Sequence, residues 1–147
     1  MEFGWINLFG AAAVLILMAP NVLYALKRKD GAKPPPSRVL HLMEQAGRYG
    51  CVLLMWLPLF VWKFAFSSVA ALLAYLLGNG LLLLLYLLFW ILYAGRKTAG
   101  RAMALAIIPA CIFLLSGLLL RHWALVFCAV LFGVGHAAVT RQTLGRK

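Results

Sequence analysis

Near the end of the first third of this 147-residue chain, four side chains have the types and spacing to do chemistry together. His41, Glu44, Gln45 and Arg48 follow at i, i+3, i+4 and i+7, which places them on one face of a helix. Glu44 and Arg48 stand in the favourable order for an i, i+4 ion pair. A histidine, a carboxylate and a guanidinium offer proton transfer, anion binding or, with further ligands, metal coordination. Asn21, Asn79 and His136 join them as candidate ligand-binding residues, each lying in or at the end of an apolar run. Polar groups in lipid are costly unless they face a cavity or one another.

The elements that must position these residues are apolar. The chain is 65% hydrophobic and only 12% charged, against about 45–50% and 25% in a soluble domain. The excess lies in long runs that predict membrane spans over about 5–26, 39–64, 67–94, 102–120 and 123–140. The N-terminus lacks a basic n-region and a cleavage site, so the first run reads as a retained span. A basic, proline-rich loop over 27–38 joins the first two spans. Its three prolines favour extended backbone, and Ser37 is placed to cap the second span. Ser67-Ser68 leaves room only for an antiparallel hairpin between spans two and three.

Twelve of the 14 Lys and Arg fall on one side of these spans, against Lys63 and Arg121 on the other. The positive-inside rule then places the C-terminus in the cytoplasm and the N-terminus outside. Trp5, Trp62 and Trp123 fall at the outer interface. The fold predicted is an all-α integral membrane five-helix bundle, one domain, multi-pass in the plasma (inner) membrane. The net charge of +11 would suggest nucleic acid in a soluble protein. Here it points to anionic lipid headgroups at the cytoplasmic face, with no nucleic acid.

Small residues recur at every fourth position: Ala70, Ala74 and Gly78; Ala102, Ala106 and Ala110; Ala129, Gly133 and Ala137. Such ridges let helices approach closely in lipid. They favour a tight bundle, a homo-oligomer or a partner membrane subunit. Cys51, Cys111 and Cys128 match no metal or disulfide spacing and read as buried thiols. His41, Glu44 and His136 share a membrane side, but their spacing does not show the convergence a metal needs. No metal, cofactor or catalytic motif is predicted.

Pro20-Asn21, Glu44-Gln45-Ala46-Gly47-Arg48-Tyr49-Gly50-Cys51, Asn79-Gly80, Ile108-Pro109 and Ser116-Gly117 carry a resemblance. The chain resembles, over nearly its whole length, a family of small uncharacterised polytopic membrane proteins of Gram-positive bacteria. That resemblance implies a bacterial plasma membrane and brings no activity and no functional residue. Length and span count match the tryptophan-rich sensory proteins, whose tryptophan and proline signatures are missing here.

Two arrangements accommodate the polar set at the cytoplasmic ends of the spans. One is a pocket open to the cytoplasm, where Arg48 and His41 suit an anionic group. The other, and the simpler, is a helix start in the headgroup layer with Glu44 and Arg48 paired and solvated. The function expected is a non-enzymatic binding or interaction protein for an amphipathic or anionic small molecule, lipid or partner subunit. The alternatives are a small oligomeric proton-coupled transporter or channel, and a lipid-modifying membrane enzyme. Asn79 lies deeper and reads as a hydrogen bond to a neighbouring helix.

Overall fold

Five helices fill the computed structural model, which describes residues 4–27, 37–61 and 65–145. They are α1 (Leu8–Lys27), α2 (Arg38–Trp56), α3 (Val69–Gly95), α4 (Ala99–Leu119) and α5 (Trp123–Gly145). The described chain is thus all-α. Four of the helices, α1, α3, α4 and α5, are long and apolar enough to cross a membrane, the make-up of a multi-pass membrane protein. The second helix is set apart by Arg38, Glu44 and Arg48 in its N-terminal part. The proline-rich loop beyond Lys27 and the Trp62-Lys63 pair lie outside the described residues.

Short-range chemistry sets the helix ends. The Ser68 hydroxyl accepts the Ala71 N–H at 3.1 Å and caps α3, and Thr98 accepts the Arg101 N–H at 3.4 Å and caps α4. Ser37 occupies the extended N-cap position of α2, but its side chain makes no capping bond. The Arg101 guanidinium reaches back to the Leu92 and Arg96 carbonyls at 2.6 and 2.9 Å, tying the start of α4 to the end of α3.

The second helix is shorter than its apolar run. It ends at Trp56, with Leu57 extended at φ −107° and ψ 132°, because Pro58 disfavours helical backbone in the residue before it. Helices α2 and α3 are therefore joined by a connection over 57–68 instead of a two-serine hairpin. The two do not pack on each other extensively. The principal contacts run α2 on α5, α5 on α4 and α4 on α3, with α1 lying more sparsely between α2 and α3. The five helices thus close a ring.

Glycine makes the α2–α5 contact close. A Cβ on Gly47 would meet the backbone of Phe132, and one on Gly135 would lie 2.8 Å from the Glu44 nitrogen. Of the predicted ridges, those of α4 and α5 meet each other: a Cβ on Gly133 would stand 3.0 Å from that of Ala110. The α3 ridge does not, since Ala70 and Ala74 are exposed.

Apolar side chains cover the outside of the bundle as well as its core, which holds Met55, Ile112, Leu125 and Phe132. Leu73, Leu77, Leu81, Leu84, Leu88 and Ile91 form an exposed stripe along α3, while Asn7, Glu44, Asn79, Ser116 and His122 are buried. Lipid solvates apolar side chains, so the polar ones are those that need the interior. The same rule corrects the expectation for cysteine: Cys51 is buried, but Cys111 is exposed on α4. One end of the bundle gathers Lys27, Arg38, Arg96, Lys97, Arg101 and Arg141 and is called here the basic end.

Candidate functional site

Glu44 is the centre of the site. Its residue is only 4% exposed, although it stands on the second turn of a helix that begins with Arg38. The solvated Glu44–Arg48 pair expected from spacing is therefore a buried carboxylate. Arg48 pairs with Oε1 from one turn along α2. The same oxygen accepts from His136 Nδ1 at 2.7 Å, across to α5. A carboxylate only accepts, so the His136 proton sits on Nδ1 and the ring is oriented by this bond. His41 Nδ1 stands 3.9 Å from the other oxygen, Oε2. The close crossing at Gly135 is what brings Glu44 within reach of the neighbouring His136.

Phe132 contacts both Arg48 and His136. Its ring stacks on His136 with centroids 5.1 Å apart and planes 18° apart. The Arg48 guanidinium carbon lies 5.8 Å from the same ring, within cation–π range. Arg48 and His136 bond to Glu44 directly, and 2.7 Å between His136 and the carboxylate is a hydrogen bond with no gap for an ion. Among the described residues no group of His, Cys, Asp and Glu has the arrangement to hold a metal.

Beside this cluster lies a cavity of about 450 Å³ with walls from all five helices. Arg48, His136, Asn21, Tyr24 and Tyr86 supply its polar part; Val14, Leu17, Met18, Val52, Leu105, Pro109, Phe113 and Phe132 supply its apolar part. Glu44 is not in the wall, so the groups that face the cavity include a guanidinium and no carboxylate. The side chain of Arg48 is 34% exposed and that of His136 25%. Pro109 stands in this wall and lacks the N–H that would close its helical turn.

No family model, curated protein or solved structure matches the chain.

The seam between α1 and α3 closes the cavity on another side. Asn21 donates to the Leu17 carbonyl at 3.1 Å and to the Tyr86 hydroxyl at 3.0 Å. Tyr24 packs against Trp90 and Tyr93 with centroids at 5.3 and 6.5 Å, and Lys97 Nζ lies 5.7 Å from the Tyr24 ring. Of the sequence candidates, Arg48, His136 and Asn21 therefore meet at one cavity. Glu44 and His41 stand behind it, and Gln45 is half-buried on α2 outside the wall.

Asn79 belongs to a separate network. It donates to Ser116 Oγ at 3.0 Å, linking α3 to α4. Tyr75, one turn before Asn79 on α3, accepts from Asn7 through its hydroxyl at 3.0 Å. The Asn79 Oδ1 atom is buried without a hydrogen-bond partner.

Asn7 is the residue that sequence reasoning passed over. Its Oδ1 accepts the Gly10 N–H at 3.1 Å and caps α1. Its amide donates to the Met55 carbonyl at 3.1 Å, and its backbone N–H donates to Trp56 at 3.0 Å. It thereby satisfies carbonyls left over at the end of α2. The signal was an Asn immediately before the apolar run that starts at Leu8.

Proposed function

We propose that this chain is a non-enzymatic binding protein of the bacterial plasma membrane. It is a multi-pass five-helix bundle with the basic end in the cytoplasm, the N-terminus outside and the C-terminus inside, as the Lys and Arg distribution favours. Its site is the five-helix cavity, which takes an amphipathic or anionic small molecule through the basic end. One observation carries this reading: Arg48 and His136 share one cavity wall with Val14, Leu17, Val52 and Phe113 while the carboxylate that holds them stays behind it. Its volume of about 450 Å³ falls in the usual small-molecule range of about 300–1,000 Å³.

Native mass spectrometry of the purified protein tests it. Bound species should be present in the wild type, absent in Arg48→Gln/His136→Gln, and retained in Arg141→Gln. The same bound species in all three would overturn the proposal. A C-terminal fluorescent fusion that lights only in the cytoplasm checks the orientation.

A second reading, a small proton-coupled transporter or channel, is favoured by the buried pairs Asn7–Tyr75 and Asn79–Ser116, which add polar groups toward the opposite end. Proteoliposome flux that depends on pH and is lost in Glu44→Gln would support it. Flux indifferent to both would sink it.

A further inference from the structure

Charge, size and shape together narrow the ligand, on the reading that the cavity is a binding site. The wall offers the guanidinium of Arg48, and no carboxylate opposes it there. Arg48 pairs with Glu44 through one terminal nitrogen. A guanidinium carries five N–H donors in a planar fork, so donors remain to hold a second, planar anion. A cation is disfavoured at such a wall. A dianion would face one Arg charge already shared with Glu44, so a single negative charge is the better match.

The rest of the wall sets the body. Val14, Leu17 and Met18 come from α1, and Leu105, Pro109 and Phe113 from α4. At a water-like share of about 30 Å³ per heavy atom, the cavity of about 450 Å³ holds on the order of fifteen. A two-chain phospholipid is several times larger. We infer that the cavity binds a single-chain carboxylate of about a dozen carbons, head on Arg48 beside His136 and tail against the α1 and α4 side chains.

The test uses the full chain in phosphatidylcholine nanodiscs, with empty nanodiscs as background. Radiolabelled dodecanoate should bind saturably. Dodecanol, which keeps the tail and lacks the charge, should bind at least tenfold more weakly, and so should hexanoate and octadecanoate. Dodecyl phosphate, a dianion near neutral pH, should also bind more weakly than dodecanoate. Arg48→Gln should weaken dodecanoate at least tenfold and leave dodecanol unchanged. Met18→Trp, which fills the cavity from α1, should remove both.

Dodecanol equal to dodecanoate in the wild type overturns the carboxylate assignment without any variant. If Met18→Trp then still abolishes binding, the cavity reading stands and only the ligand class has failed. Tighter binding of dodecyl phosphate overturns the choice of a monoanion, and tighter binding of octadecanoate overturns the size. Saturable binding that Met18→Trp leaves intact overturns the site itself.

Discussion

His136 Nδ1 donates to Glu44 Oε1 at 2.7 Å, joining two helices across 92 residues of sequence. The bond makes Glu44 the hub of the bundle's basic end, because Arg48 shares the same oxygen. It also decides what the cavity sees: the carboxylate is spent on its neighbours, and Arg48 and His136 line the wall.

Removing the hub should cost more than removing a surface charge. Glu44→Ala leaves Arg48 and His136 without their acceptor. Charge-assisted hydrogen bonds are each worth about 1.5–3 kcal/mol, so a loss of that order is expected. Thermal melting in detergent measures it, with exposed Arg141→Ala as a control that should change little. Equal melting temperatures would show that the buried carboxylate does not matter to stability.

The helix crossing depends on the absence of a Cβ. Gly135→Ala places a methyl 2.8 Å from the Glu44 nitrogen, which forces α2 and α5 apart. Overpacking of this kind costs about 1–3 kcal/mol, and separation of Glu44 from His136 follows. Gly80 has nothing within 4 Å of its Cβ position, so Gly80→Ala should be neutral or mildly stabilising through helix propensity. Comparing the two melting curves isolates packing from propensity, and similar shifts would refute the close crossing.

At the end of α4, Arg121 takes a left-handed conformation at φ 54°. His122 N–H donates to the Gly117 carbonyl at 2.8 Å and Arg121 N–H to Leu118 at 3.2 Å, the bond pattern of a Schellman cap. That position favours glycine, since a side chain there costs about 1 kcal/mol or more. Arg121→Gly should therefore raise the melting temperature, and a decrease would mean that the arginine side chain contributes a contact of its own.

His122 lies in the turn between α4 and α5, and its Nδ1 accepts the Leu125 N–H at 3.3 Å. Burial lowers its pKa from the ordinary value of 6.5, with backbone hydrogen bonds, including one at Leu59, acting the other way. The unfolded chain thus takes up the proton at a higher pH than the folded one. Stability from this residue is complete above the ordinary value and is lost as pH falls from there toward the depressed folded value. Replacing it by Asn keeps a capping acceptor and removes the titration. His122→Asn should then show a smaller drop in melting temperature between pH 7.5 and 5.5 than the wild type, whereas parallel drops would place the pH sensitivity elsewhere.

Local sequence is enough to establish the helices, their apolar character and the basic end. Run length, hydropathy and the capping Ser68 and Thr98 act within a turn or two, so they can be read in order along the chain. The shared face of His41, Glu44 and Arg48 is legible for the same reason. The early end of α2 was legible too, in Pro58, but the continuous apolar run outweighed it.

Which face turns inward is a tertiary matter. In lipid an apolar face gains little by burial against another helix, so hydropathy does not mark the core of such a bundle. Glu44 is buried because Gly47 and Gly135 let α2 lie directly on α5, a fit between surfaces nearly ninety residues apart. That pairing, chosen over the sequence neighbour α3, brings Arg48 and His136 to one wall. The arrival of α1 then completes the cavity with Asn21 and Tyr24. Periodicity specifies a face on each helix, and steric complementarity between distant helices decides which faces meet.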